Sequence, residues 1–334
     1  MIARRFVKTE SRDWVTALRE AYTDPALLLQ DLGLTSADTG YEPAMTVKFD
    51  FRVPRAYARR MNPGRPNDPL LRQVLPHRAE NTSAQGFNAD PVGDLAAMHR
   101  PGLLKKYHGR ALLLLTGACA VNCRYCFRRE FPYQGLVGSP QLSAGLADIA
   151  SDPSIREVIL SGGDPLMLKD APLSELLQRL ESIPHLLRLR IHTRLPLVLP
   201  ARVTPALLTA LARTRLQTVL VMHVNHAQEI DEAVITASRA LTEHRVTLLN
   251  QSVLLRGVND DAAVLAALSE QLFVAGILPY YLHMLDRVSG AAHFEVEEKT
   301  AVALHQDLMG LLPGFLVPRL VREVAGAPYK MPLR

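Results

Sequence analysis

The sequence predicts an α/β fold: an open (βα)6 barrel, in effect a partial TIM barrel, carrying an N-terminal helical extension. Three observations lead there. From Arg110 onward, six strand-like apolar runs alternate with amphipathic helical stretches, the rhythm of a parallel sheet with right-handed crossovers. Each of the six runs ends in polar residues, as expected where strand C-termini meet on a catalytic rim. All three cysteines of the chain fall within one short segment, Cys119-Ala-Val-Asn-Cys123-Arg-Tyr-Cys126, after the first run.

Residues 1–105 carry no strand rhythm and are expected to form a helical cap or wrap rather than an independent domain. Ser11 is a plausible N-cap for a helical pattern running towards Ala21, and a second runs from Asp24 to Leu32 and stops at Gly33. Phe51–Tyr57 and Asp68–Leu75 suggest short helices, and the polar stretch from His77 to Asp94 a loop. Residues 106–290 are expected to form the barrel core. Its strands are Ala111–Leu115, Glu157–Leu160, Leu187–Ile191, Thr218–Met222, Val246–Gln251 and Leu278–Leu282. Its helices are Gln141–Ile149, Pro172–Ile183, Pro205–Thr214, Glu229–Glu243 and Asp260–Ala275. Residues 291–334 are assigned to a C-terminal helix and a lysine-bearing segment.

The strand ends collect the reactive side chains. After the cysteines come Ser161-Gly-Gly-Asp-Pro165, His192-Thr-Arg194, His223-Val-Asn-His226, Asn250-Gln-Ser252 and His283-Met-Leu-Asp286. One histidine at such a place is ordinarily a satisfied core residue, but polar groups at all six ends point to a site.

Composition narrows the function. The net charge is +5, yet the basic residues are dispersed and lack interleaved aromatics, so no nucleic-acid partner is expected. The N-terminus has no apolar signal region and no run approaches membrane-spanning length. No membrane association is expected, and a cytoplasmic location suits free thiols. Arginines number thirty-one against seven lysines, so a role that needs a primary amine is confined to Lys8, Lys48, Lys105, Lys106, Lys169, Lys299 and Lys330.

Three clustered thiolates suit a soft metal and leave one coordination position open, where four ligands would close it. Buried small hydrophobes, or a zinc site completed by a histidine such as His108, would also accommodate them; a disulfide framework would not, because the count is odd. Gly162-Gly163-Asp164 lies between a strand and a helix, where adjacent glycines permit close backbone approach to a ligand. A plain loop-and-turn role fits that motif equally well.

The C-x3-C-x2-C spacing resembles that of the radical S-adenosylmethionine (SAM) enzymes. In them the three cysteines bind three irons of a [4Fe-4S] cluster and SAM chelates the fourth. Gly162-Gly163-Asp164 resembles their Gly-Gly-Glu-type motif, which contacts the SAM amino group. The resemblance places Ser161, Gly162, Gly163, Asp164, His223 and Gln251 in the SAM region, on a barrel of the radical SAM type.

Longer motifs are similar to those of the lysine 2,3-aminomutases: Cys123-Arg-Tyr-Cys126-Phe-Arg-Arg-Glu-Phe131, Leu160-Ser-Gly-Gly-Asp-Pro-Leu166, Asn250-Gln-Ser-Val-Leu-Leu-Arg-Gly-Val-Asn-Asp260 and the segment from Asp286 to Phe294. Pro101–His108 and Asp68–Leu75 resemble the shorter bacterial branch that supplies (R)-β-lysine for modifying translation elongation factor P. The resemblance implies conversion of L-α-lysine to (R)-β-lysine by a 5′-deoxyadenosyl radical acting on lysine bound to pyridoxal 5′-phosphate (PLP). It implies an external electron donor, a functional link to an elongation factor P ligase, and a homo-oligomer. Lys330 would be the catalytic lysine that holds PLP. Arg128 would bind the substrate carboxylate, and Asp286 and Glu323 its ε-ammonium. The family pattern differs in two places: only Gly326 remains of a glycine-rich stretch before the lysine, and Glu323 stands where better-known members carry aspartate. A free-lysine aminomutase of a metabolic pathway, a radical SAM enzyme without PLP, and a zinc-stabilised scaffold are the alternatives.

Overall fold

The fold is described from a computed structural model covering residues 13–43 and 49–334. Ser11, the expected first N-cap, lies outside the described residues, as do Lys8 and Lys48. Asp13 caps the first helix instead, its carboxylate accepting from the Val15 amide.

Six parallel strands form the barrel wall as predicted: β3 (Arg110–Thr116), β4 (Glu157–Gly162), β5 (Arg188–Thr193), β6 (Gln217–Met222), β7 (Thr247–Val253) and β8 (Leu278–His283). Every residue of β4 is buried, as befits a strand covered on both faces. The sheet is larger than the sequence rhythm suggests. β9 (Arg319–Arg322) adds a seventh parallel strand beside β8, and β10 (Met331–Pro332) runs antiparallel on β9. At the opposite edge, β1 (Met98–Arg100) and β2 (Leu103–Leu104) form an antiparallel hairpin on β3. The strand order is linear from β1 to β10, so the barrel stays open.

The hairpin corrects the expectation that residues 1–105 hold no strands. Runs of three and two residues are too short to show an alternation, and the tight turn rests on Gly102, whose φ of +80° favours glycine. A Cβ there would also sit 2.7 Å from the Leu136 carbonyl.

The helices are α1 (Trp14–Arg19), α2 (Pro25–Asp31), α3 (Arg55–Ala58), α4 (Pro69–Arg72), α5 (Ser139–Ser151), α6 (Asp170–Glu181), α7 (Leu195–Val198), α8 (Pro205–Arg213), α9 (Glu232–Glu243), α10 (Ala262–Val274) and α11 (Glu298–Leu311). α9 starts later than Glu229 because Asp231 caps it, accepting from the Val234 amide. The Glu229 side chain is drawn into the interior.

One hydrophobic cluster joins the extension to the barrel, running from Trp14, Leu28, Tyr57 and Leu70 to Leu113, Leu160, Ile191 and Leu220. The extension therefore cannot detach without exposing a shared core. Arg202, fully buried, adds a polar tie across the strand-end loops: its guanidinium reaches Asp170 at 2.7 Å and the Leu166 carbonyl at 2.6 Å, beneath the Trp14 ring. Among the described residues no helix is long and apolar enough to cross a membrane.

Candidate active site

A cavity of about 630 Å³ runs through the open barrel, within the size range of small-molecule sites. Cys119, Cys123 and Cys126 line its mouth, each partly exposed. The extension grips their loop. Asn122 N donates to the Arg52 carbonyl (3.1 Å) and Arg124 N to the Gln73 carbonyl (2.8 Å). The Arg124 guanidinium makes a two-pronged pair with Glu80 (2.8 and 2.5 Å), which Arg129 also reaches at 2.6 Å.

Burial, and then the nearby thiols, push Cys126 up to about 11 and Cys119 well above the ordinary thiol range. Each would lose its proton on binding a metal. Among the described residues no three His, Cys, Asp or Glu side chains converge as the ligands of a single ion do. The cysteines instead border a space, and their all-sulfur donor set suits an iron–sulfur cluster better than a hard ion. His108 is exposed and does not line the cavity, so it does not complete a zinc site with the cysteines.

Ser161, Gly162, Gly163 and Asp164 pass beside the cysteine loop. Both glycines are required by the protein itself. Gly162 has φ +124°, and a Cβ there would lie 2.5 Å from the Thr116 carbonyl; one on Gly163 would lie 2.3 Å from that of Ala118. Asp164 lines the cavity with the two glycines, and its carboxylate is engaged within the protein. Its buried oxygens accept from the Thr193 hydroxyl (2.7 Å) and from the amides of Leu166, Arg194 and Leu195 (2.8–3.0 Å). It is a tie between two strand ends, leaving only backbone groups of the motif for a ligand. Asp164→Ala would strand those buried donors, at about 1–3 kcal/mol for each left unpaired. We expect a fall of about 3 kcal/mol in the stability of the metal-free chain, read from the midpoint of denaturant unfolding without change of slope.

His223 and Gln251 meet at 3.0 Å between Nε2 atoms, and the His192 ring stands edge-on to His223. Burial, then the charges of Arg194, Lys330 and Arg128, drives His223 down to about 3. Burial also holds His192 and His283 neutral, well below the ordinary imidazole range. Nε2 of both is buried without a protein partner, and both rings line the cavity.

One wall carries a chain of charges. Arg128 donates from Nε to Asp94 (2.6 Å) and from Nη1 to the Ser161 hydroxyl (2.8 Å). Asp94 also pairs with Lys106 at 2.7 Å; burial works to raise its carboxyl, but the two cations hold it below the usual range. Lys106 reaches Glu323 at 3.3 Å, and Glu323 takes a hydrogen bond from the Tyr107 hydroxyl (2.9 Å) and pairs with Lys330 at 2.6 Å. Against the pull of burial, Lys330 first and then Lys106 and Tyr107 keep Glu323 low. Asp286 makes no side-chain hydrogen bond or ion pair among the described residues. It opens onto the cavity yet is enclosed by protein, and burial raises its carboxyl to about 7, with Lys330 pulling the other way and Glu323 adding to the rise.

The N-terminal ends of the strands close the cavity with cations. Arg110, Arg190 and Arg319 line it beside Tyr280 and Tyr281. Glu157 pairs with Arg190 at 2.6 Å and approaches Arg110 at 4.0 Å, while Arg319 has no ion-pair partner among the described residues. Three guanidiniums facing one carboxylate suit an anion such as a phosphate ester.

All thirteen residues singled out from the sequence, except that the Asp164 carboxylate is spent internally, face this one cavity. Sequence reasoning missed Asp94, Glu80 and the paired role of Lys106. They come from a region without periodicity, and no spacing ties them to the strand ends.

An open parallel barrel with three cysteines at its mouth defines a radical SAM enzyme, and the model of the radical SAM superfamily matches residues 113–267. The chain is 51% identical over 330 residues to an L-lysine 2,3-aminomutase of Escherichia coli (strain K12), covering 98% of this chain and 96% of that one. It is 49% identical over 322 residues to the protein of that name from Haemophilus influenzae, covering 96% and 95%. With the one from Buchnera aphidicola it shares 45% over 333 residues, covering 99% and 98%. The chain belongs to the lysine 2,3-aminomutase family, whose members are isomerases.

Proposed function

We propose that this chain converts L-α-lysine to (R)-β-lysine, using a [4Fe-4S] cluster on Cys119, Cys123 and Cys126, SAM, and PLP on Lys330. The observation that carries the reading is one cavity holding Arg128 and the Asp286–Glu323 pair, a cation and two carboxylates complementary to the two ends of a lysine zwitterion. SAM on the reduced cluster supplies hydrogen-atom abstraction, and PLP supplies the π-system that accommodates migration of nitrogen from C2 to C3.

The protein's share is placement. Arg128, braced by Asp94, presents a planar guanidinium suited to the substrate carboxylate. Asp286 and Glu323 receive the distant ammonium. Gly162, Gly163, His223 and Gln251 border the space for SAM beside the cysteines, and Arg110, Arg190 and Arg319 form the cationic, phosphate-binding end of the PLP site. The apolar and aromatic wall restricts water. The resemblance of Pro101–His108 and Asp68–Leu75 supports the further reading that β-lysine is destined for elongation factor P. On this reading the enzyme works in the cytoplasm as a homo-oligomer with an external electron donor, and hands its product towards a ligase.

Anaerobic reconstitution with iron, sulfide and PLP, then chromatography of lysine incubated with SAM and dithionite, tests the reaction. Absence of β-lysine from a chain that holds both cofactors would refute it. Mass spectrometry of elongation factor P from cells lacking this chain tests the destination.

The ammonium site has its own test. A charge-assisted pair is worth about 1.5–3 kcal/mol, so Asp286→Asn is expected to lower kcat/KM for lysine roughly ten- to a hundredfold. Cluster and PLP contents should stay unchanged. The carboxyl must be ionised to pair with an ammonium; burial raises it to about 7 even with the Lys330 ammonium opposing the rise, and engaging Lys330 with PLP would remove that opposition. Apparent lysine affinity should therefore fall with falling pH, approaching tenfold per pH unit below 7, and level off only above that, the sign expected when only the deprotonated form binds. The Asn variant should lose this dependence between pH 6 and 8.

A further inference from the structure

Behind the cysteine loop lies a buried cation that none of the roles above uses. Arg194 follows β5 and is 6% exposed. Its Nη1 donates to the Cys123 sulfur at 2.7 Å. Its Nη2 faces Glu229 (2.6 Å), Gln73 Oε1 (2.7 Å) and the Tyr57 hydroxyl (3.1 Å). The Tyr57 and Tyr125 rings flank the guanidinium, and its Nε is buried without a partner. Glu229 is itself fully buried and held by the amides of Asn225 (2.9 Å) and His226 (3.1 Å) and by Gln73 Nε2 (3.2 Å). A guanidinium fixed from so many sides has no freedom to turn towards a substrate. It borders the cavity where its Nη1 meets the Cys123 sulfur.

We propose that Arg194 is a positioning residue that sets the electron affinity of the cysteine-held cluster, by hydrogen-bonding the Cys123 sulfur and placing a positive charge beside it. The inference rests on the cluster reading given above. Taking one electron from a low-potential donor adds a negative charge to the cluster. A cation in hydrogen-bond contact with a ligand sulfur stabilises that added charge, and does so strongly where water is excluded. Hydrogen bonds to sulfur and net charge are among the determinants of cluster potential. Glu229 both holds Arg194 in place and offsets part of its field. Tyr57 and Gln73 come from the N-terminal extension, so that segment contributes to the redox site as well as to the core.

The two members of the pair should act in opposite directions. With the full chain reconstituted anaerobically, the midpoint potential is measured by redox titration followed by electron paramagnetic resonance. Arg194→Gln is expected to make reduction at least tenfold less favourable, a fall of 59 mV or more for a one-electron couple. Arg194→Lys, which keeps the charge, should recover part of the loss. Glu229→Gln, which removes the offsetting charge, should raise the potential and remains decisive should Arg194→Gln fail to fold. Unchanged potentials, or shifts of the same sign in Arg194→Gln and Glu229→Gln, would overturn the inference. So would a folded Arg194→Gln chain that no longer takes up the cluster, since that would make the residue one of assembly. A parent chain that takes up no cluster would instead overturn the reading of the cysteines on which the inference stands.

Discussion

Cys123→Ser is expected to give a folded chain without the brown absorbance of the cluster and without cleavage of SAM, because a serine oxygen is a poor ligand for a soft iron–sulfur centre. The effect should be close to complete, since the chain's three cysteines are all in this loop and no other thiol can take over. Folding should survive. Cys123 is partly exposed to the cavity, and the Arg194 guanidinium that loses its sulfur contact keeps Glu229, Gln73 and Tyr57. Iron and sulfide analysis with assay of 5′-deoxyadenosine provides the check. A serine variant that held a full cluster and still cleaved SAM would remove the metal assignment.

Lys330→Ala should abolish β-lysine formation while leaving the cluster spectrum intact, because the two sites use different residues. The competing amine is Lys106, the other lysine lining the cavity. An ammonium has three donors, and those of Lys106 face Asp94 (2.7 Å), the Val92 carbonyl (2.8 Å) and Glu323 (3.3 Å). Among the described residues Lys330 is tied by hydrogen bond only to Glu323, with the Tyr281 ring 5.8 Å away. It is the freer of the two to enter covalent chemistry. Lys169 and Lys299 are exposed and outside the cavity. Borohydride trapping followed by peptide mapping should place PLP on the peptide containing Lys330; label on Lys106 would transfer the role.

The parts legible in the sequence were those carried by rare residues or by a period. Three cysteines in eight positions and polar groups at six strand ends announce a rim, because an apolar run ending in His or Asp has little structural reason to do so. The short strands β1, β2, β9 and β10 were not legible, being two to four residues long. Asp94 and Glu80 were invisible for another reason: tertiary packing alone brings their loop against Arg128 and Arg124. Gly162 and Gly163 show a motif with two causes. The sequence suggests room for a ligand, whereas the fold needs the same absence of Cβ to let two strand-end loops pass. Asp164 is the clearest limit, a polar residue at a catalytic rim whose carboxylate serves the backbone around it.

The pairing of Lys330 with Glu323 near Asp286 has a consequence for the order of events. An alkyl ammonium paired with Glu323, whose charge also reaches Asp286, is the same chemical group that the substrate would bring. Before any ligand arrives, the enzyme's own side chain stands in for the end of a lysine molecule. On the proposed reading, engaging Lys330 with PLP removes that ammonium from the cradle, leaving Glu323 without its nearest cation and Asp286 without the charge that chiefly restrains its rise. The vacancy then has the charge and shape of what was withdrawn. A site built this way is self-screened at rest and becomes lysine-hungry only once its cofactor is seated, so loading of PLP precedes tight capture of substrate.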